Sequence, residues 1–351
     1  MNDVEVPGYS RRFGAQIAVL SSGLIAAVIF SSGMGFIKAP WVDVVRVMIA
    51  GMTGSEELPR GIDKVLPYVV LDVRLPRILT SVIVGAGLAM AGVVFQGILL
   101  NPLADPYTLG ISAGAAFGAS VALLFNITLM GLYSVPLFAF LGAVGTLAAV
   151  VFLSAQGGDV SSNSLILSGI IAAAILSAAI SFLKYIADEH VSVIIFWLMG
   201  SFASKNWSDV LMTLIFVTGG GLVCLFYAGD LNILSLGDRS AVSLGVKANR
   251  LRVTLLITAS LMTAVCVSVS GIIGFVGLII PHLLRFFTGA DNRRLLPCSA
   301  LAGAILLLAA DTVTRALLPS EVPIGVLTAM IGGPIFCYIF KKRYQFTAQN
   351  G

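Results

Sequence analysis

Ten runs of mostly apolar residues, each close to twenty long, divide this chain at roughly 13–37, 73–100, 107–125, 132–155, 164–186, 207–228, 253–271, 273–289, 295–314 and 323–341. A helix needs about twenty such residues to cross the hydrocarbon core of a bilayer. In that core only structures that satisfy their own backbone hydrogen bonds survive. The pattern therefore predicts an all-α, polytopic membrane protein with ten transmembrane helices in a single domain. Composition agrees, because only 11% of the 351 residues are charged, against roughly a quarter in soluble domains. The boundary inside SVSGIIGFVG is the weakest. There one long run is divided by Gly271 and Gly274, read as a tight reversal.

Ten crossings put both termini on one side. Arg11 and Arg12 then share that side with Lys341, Lys342 and Arg343, with Arg239, Lys247, Arg250 and Arg252, and with Arg293 and Arg294. By the positive-inside rule this side is cytoplasmic. The other side carries Asp43, Glu56, Glu57, Asp63, Asp188, Glu189 and Glu321, with Arg74, Arg77 and Arg315 as exceptions. The organisation expected is a cytoplasmic N-terminus (1–12), an outer loop (38–66) holding a short amphipathic helix near Trp41–Met48, a second outer segment (187–206), and a polar cytoplasmic segment (229–252). No cleavable leader is expected, since the polar start runs straight into a first span.

Several chemistries find no support. There is no G-x-x-x-x-G-K-[ST] phosphate loop, no HExxH and no GxSxG. The net charge of +4 is small and dispersed, so no nucleic-acid partner is expected. Cys224, Cys266, Cys298 and Cys337 stand singly and read as small buried hydrophobes. With two histidines and no paired carboxylates inside spans, neither a metal site nor an embedded redox enzyme is indicated. Lys184, His282 and Asp311 lie towards span ends, which weakens an ion-gradient-driven secondary transporter. The chain itself is not expected to be catalytic.

The stretch LGDRSAVSLGVKANRLR at 236–252 interrupts this apolar chain. Asp238 reads as the N-cap of a short helix through Leu244, with Gly245 as its stop and a second short helix from Lys247 towards the next span. Ala241, Val242 and Leu244 form an apolar patch ringed by Arg239, Lys247 and Arg250. Two readings stand: a knob that fits a partner's cleft, or a solvated loop that anchors the next span. Small-residue stretches such as GAGLAMAG at 85–92 and SGIIAAA at 168–174 also admit two roles, close helix packing or the wall of a path.

The order of motifs resembles the FecCD-type permeases, the membrane subunits of bacterial ABC importers for ferric siderophores, haem or cobalamin. The matching stretches are RLPRIL at 74–79, GAGLAMAGVVFQGILLNPLADPYTLGISAGAAFGA at 85–119, FWLMGSF at 196–202, LGDRSAVSLGV at 236–246, GIIGFVGLIIPHLLRFFTGADNRRLLP at 271–297 and LPSEVPIGVLTAMIGGPIF at 318–336. The resemblance implies a homodimer in the inner membrane, joined by two ABC ATPase subunits that hold ATP and Mg and by a periplasmic or lipid-anchored binding protein. It implies that Asp238, Arg239, Ser240, Leu244, Gly245, Lys247 and Arg250 couple to the ATPase. It places a cytoplasmic gate at Asn101 and Leu103 in NPLADP and at Ser162 and Asn163 in VSSNSLILSG, where Asn163 departs from a small hydroxyl residue. Arg74, Arg77 and Arg315 are expected to dock glutamates of the binding protein. Gly85, Gln96, Ser168 and Ala172 are expected along the translocation path, and His282 as a packed residue beside a kink at Pro281.

Overall fold

The computed structural model describes residues 7–35, 40–53, 62–63, 65–156, 159–316 and 321–349. The elements are α1 (Pro7–Gly33), α2 (Trp41–Thr53), α3 (Leu66–Tyr68), α4 (Leu75–Ile98), α5 (Ile111–Leu124), α6 (Ser134–Ser154), α7 (Ser162–Ile186), α8 (Val191–Leu198), α9 (Trp207–Phe226), α10 (Ala228–Leu234), α11 (Asp238–Ser243), α12 (Ala248–Ser270), α13 (Val276–Thr288), α14 (Asn292–Ala316) and α15 (Ile324–Gln349). Among the described residues the only strands are the two-residue β1 (Ala155–Gln156) and β2 (Asp159–Val160), paired antiparallel as a hairpin before α7.

A helix lies at each of the ten expected spans, and seven are long and apolar enough to cross a bilayer. The other three, Ile111–Leu124, Val276–Thr288 and Ile324–Tyr338, are shorter apolar helices. The longest run, Leu66–Ile98, contains one π turn at Val69–Arg74. There the Leu75 N–H reaches back five residues to the Val70 carbonyl. Pro76 follows directly. It lacks an N–H, and its ring crowds the carbonyl four residues back, so the widened turn relieves the clash.

α4 is the centre of the bundle and packs on α14, α12, α9 and α13, while α5 packs between α6 and α7. Close approach is achieved at glycines. A Cβ at Gly92 would run into the backbone of Gly277, which fixes α13 against α4. α2 lays Val44 and Val47 on Leu66 and Val70, the amphipathic outer helix expected from sequence. Residues 36–39, 54–61 and 64 of the outer-loop region, residues 1–6 of the N-terminal segment, and 317–320 of the LPSE stretch lie outside the described residues.

The break between α12 and α13 is not a tight glycine reversal. Residues 271–274 run without helical or turn structure, and Gly271 (φ +72) and Phe275 (φ +70) take the left-handed positions. The Tyr107 hydroxyl donates to the Ile273 carbonyl oxygen and accepts the Ile273 N–H at 3.1 Å. Buried, non-helical backbone at this point thereby finds a side-chain partner on the α4–α5 connection. Cys224, Cys266 and Cys298 are buried as expected, whereas Cys337 is exposed on α15.

Candidate functional site

The polar stretch at 236–252 folds into one short helix and the first turn of a long one. Gly237 occupies the N-cap of α11 at φ +100, and Asp238 is the first helical residue, not the cap. The stop is as expected. Gly245, at φ +85, donates to Val242 O at 3.0 Å and Val246 donates to Ala241 O at 2.9 Å. That pair is a Schellman ending, which needs a left-handed residue at this point. No separate second helix starts at Lys247, which instead caps the unbroken α12. The second short helix of the region is α10, upstream. The Asn232 Nδ2 on α10 donates to Asp291 at 2.7 Å, and its Oδ1 accepts the Asn292 N–H at 2.8 Å.

Ala241 points inward and is fully buried, so the displayed apolar patch is Leu236, Val242 and Leu244, all more than half exposed. Arg239, Lys247 and Arg250 are exposed around it, and Ser240 is half-buried. Asp238, Val242, Lys247 and Arg250 line an open cleft of about 490 Å³ whose far wall is Val160 and Ser161.

Of the positions expected to form a gate, Ser162 and Asn163 follow the Val160–Ser161 wall of this cleft, and Asn101 and Leu103 follow the end of α4. α4 ends in a second Schellman turn, in which Leu100 takes φ +52 and the Asn101 N–H bonds Gln96 O at 3.2 Å. Asn101 Oδ1 then accepts the Leu103 N–H at 2.9 Å, which closes the turn and leaves Leu103 exposed. Asp105 accepts from Tyr107 N, Thr108 N and Thr108 Oγ1. Burial pushes its carboxyl above the usual range, although these donors pull the other way. Ser162 Oγ donates to Ile98 O at 3.0 Å, which joins the start of α7 to the end of α4. Asn163 is exposed on the same turn. The four expected gate positions thus flank one contact between two helix ends.

Sequence reasoning missed the group that binds these parts together. Arg252, 2% exposed, donates from Nε to Ile98 O at 3.2 Å and from Nη1 to Val160 O at 3.0 Å, and pairs through Nη2 with Asp238. Asn249 Oδ1 accepts the Val160 N–H at 3.1 Å. In the sequence Arg252 is simply the last basic residue before a span, and only its acceptors reveal its position.

At the opposite end the three arginines expected to face a partner are turned inward. Arg74 is 5% exposed and donates to Ser32 O at 2.8 Å. Arg77 pairs with Asp311 at 2.9 Å and with Glu321 at 3.0 Å. Arg315 donates to Met34 O and Ser31 O and lies 3.4 Å from Asp311. Their guanidinium groups fasten α1, α4 and α14 together and lie largely inside the chain. Asp311, 1% exposed, is the centre of this cluster. Its i,i+4 spacing to Arg315 was the available signal. Nearby, Lys205 donates from Nζ to Val269 O at 2.8 Å, and burial lowers its ammonium pKa against the pull of Asp209.

The residues expected along the path also pack against neighbouring helices. A Cβ at Gly85 would collide with the Gly303 carbonyl, so Gly85 is a packing contact between α4 and α14. Gln96, 3% exposed, lies between α4 and α13 with Nε2 3.4 Å from Leu278 O. Ser168 is buried and Ala172 packs on the core. The exposed side of α7 is a different stripe, through Leu167, Ile171, Ala174, Ala178 and Phe182. His282 is buried edge-on to Phe286, one residue from Pro281 inside α13.

Comparison with known proteins places this arrangement. The FecCD transport family matches residues 23–342. The molybdate import system permease protein MolB of Haemophilus influenzae is 42% identical over 322 residues, covering 91% of this chain and 93% of its own. The hemin transport system permease protein HmuU of Yersinia pestis is 40% identical over 281 residues, covering 79% and 84%. A solved structure described as an inward-facing metal-chelate type ABC transporter superposes with a TM-score of 0.81 at 39% identity, covering 93% of this chain and 98% of its own.

Proposed function

Because this chain belongs to the FecCD transport family, we propose that it is the permease of an ATP-driven importer, working as a homodimer with two ABC ATPase subunits and one binding protein. The observation that carries this reading is the knob formed by Leu236, Val242 and Leu244 with Arg239, Lys247 and Arg250, rigidly capped at Gly245. Exposed apolar side chains ringed by cations suit insertion into a protein cleft better than exposure to water. In this reading the knob, both termini and the gate turns face the cytoplasm, all ten helices span, and the cavity lies on the dimer axis.

The wall contributed by each copy is the exposed stripe of α7, whose apolar side chains offer no polar group to hold cargo in a tight site. Asn101 and Leu103 on one turn and Ser162 and Asn163 on the other form the lower gate. Binding-protein docking falls to the outer surface around Glu321, since the neighbouring arginines are engaged within the chain. The permease makes and breaks no covalent bonds, and hydrolysis of ATP with Mg occurs on the partner subunits.

A ferric siderophore is the first choice of cargo, with haem and cobalamin next. The name of the H. influenzae relative adds molybdate to the panel. The ion-gradient alternative is disfavoured by a specific observation: the buried Asp311 is held by Arg77 and Arg315 rather than left to shuttle a proton. The test is purification of the tagged chain with its membrane partners, followed by reconstitution into liposomes with binding protein and each cargo in turn. An ATPase subunit should copurify, and one cargo should accumulate with ATP. Uptake that needs no ATPase and collapses with an uncoupler would overturn the reading.

A further inference from the structure

Arg252 occupies the second turn of α12 and is almost wholly removed from solvent. Its three acceptors belong to three separate segments. Ile98 O ends α4 immediately before the gate turn, Val160 O lies in the hairpin that leads into Ser162, and Asp238 opens α11. Ile98 O also receives Ser162 Oγ, so both halves of the gate meet at one carbonyl oxygen. Hairpin and α12 are joined a second time through Asn249.

A buried guanidinium is costly unless its donors are used, and here Nε, Nη1 and Nη2 each have an acceptor. The choice of arginine matters as well. Its planar fork fixes the directions of its donors, so acceptors bound to it hold a set geometry relative to one another. Asp238 is about half exposed on one wall of the cleft, Val160 lies on the far wall, and Ile98 is fully buried. A displacement of α11 is thus led through one rigid side chain to both gate turns. A lysine would keep the charge and lose the fork.

We propose that Arg252 is a positioning residue that transmits movement of α11 to the gate, with Asp238 as its input and the Ile98 and Val160 carbonyls as its outputs. This rests on the importer reading, and the test separates the two. The full transporter is reconstituted with its ATPase and binding protein, carrying R252K, R252Q, D238N or the D238N/R252Q pair. Three quantities are read: cargo taken up per ATP hydrolysed, the thermal midpoint of the assembled complex, and the nucleotide-dependent distance between spin labels on Leu103→Cys in the two copies.

Uptake per ATP should fall about tenfold in R252Q and D238N, and the double variant should be no worse than either alone, as expected for two groups acting as a unit. The Leu103 distance should stop responding to ATP, and R252K should fail to rescue it. Wild-type coupling in both single variants would overturn the proposal. So would additive losses, or losses that merely follow a fall in the complex's thermal midpoint, because those are what a purely structural arginine gives. A wild-type complex with no ATP-driven uptake of any cargo would instead remove the importer reading itself.

Discussion

Replacing Gly245 with Val isolates the backbone term at the end of α11. Gly245 holds φ +85, and a Cβ there meets nothing within 4 Å. Any effect therefore comes from conformation rather than collision. A side chain in the left-handed region costs about 1–2 kcal/mol, and a β-branched one falls at the upper end because its χ1 freedom is already restricted. If the chain leaves that region, the bonds from Gly245 to Val242 and from Val246 to Ala241 are lost, at about 1 kcal/mol net each. About 2 kcal/mol raises the open population of α11 up to roughly thirtyfold. Hydrogen exchange reads this directly: the amides of 241–246 should exchange faster by about that factor in G245V. Asn tolerates the left-handed region, so G245N should lie between Val and wild type. Uptake per ATP should fall in the same order while the protein remains inserted. Equal exchange and equal uptake across Gly, Asn and Val would refute the reasoning.

Other substitutions test the remaining contacts. Asp311→Asn leaves Arg77 and Arg315 facing a neutral group and should cost about 3–5 kcal/mol, measured as a lowered thermal midpoint in detergent. Glu321→Gln should cost under about 1 kcal/mol because that partner is mostly exposed. Gly92→Ala forces a Cβ into the Gly277 backbone and should destabilise by at least ~1–3 kcal/mol, whereas Gly14→Ala meets nothing and should be near neutral. Lys205 gives a pH signature. Its pKa is lower folded than unfolded, so the unfolded chain holds more protons between those values, and stability rises as pH climbs through that alkaline window. Lys205→Met should remove this rise from a thermal melt series.

Helix positions were readable from apolar run length alone, because a bilayer leaves few other solutions. The stop at Gly245 was readable because a Schellman turn needs a left-handed residue and glycine supplies it. What resisted was orientation about the helix axis. Small residues mark both a packing seam and a smooth wall, so Gly85 and Ser168 looked like path until their neighbours placed them inside. Arginines read the same way whether displayed or buried. Arg77 and Arg315 are distinguished only by Asp311, which lies 234 residues from Arg77 in sequence. Asp238 has the chemistry of an N-cap, but Arg252 claims its carboxylate, and a glycine performs the capping turn instead.

The pairing of the Tyr107 hydroxyl with both backbone groups of Ile273 bears on two helices too short to cross a bilayer by themselves. α5 has 14 residues and α13 has 13, well short of the ~20 that partition into lipid unaided. The non-helical backbone before each would be exposed to hydrocarbon if either entered alone. Spans such as Ser162–Ile186 and Asn292–Ala316 are long enough to cross without such help. α5 and α13 hold their place through the helices they pack on, α6 and α7 for the first and α4 and α14 for the second. Tyr107→Phe leaves both backbone groups of Ile273 without that partner and should loosen the seat of α13, read as a lowered thermal midpoint.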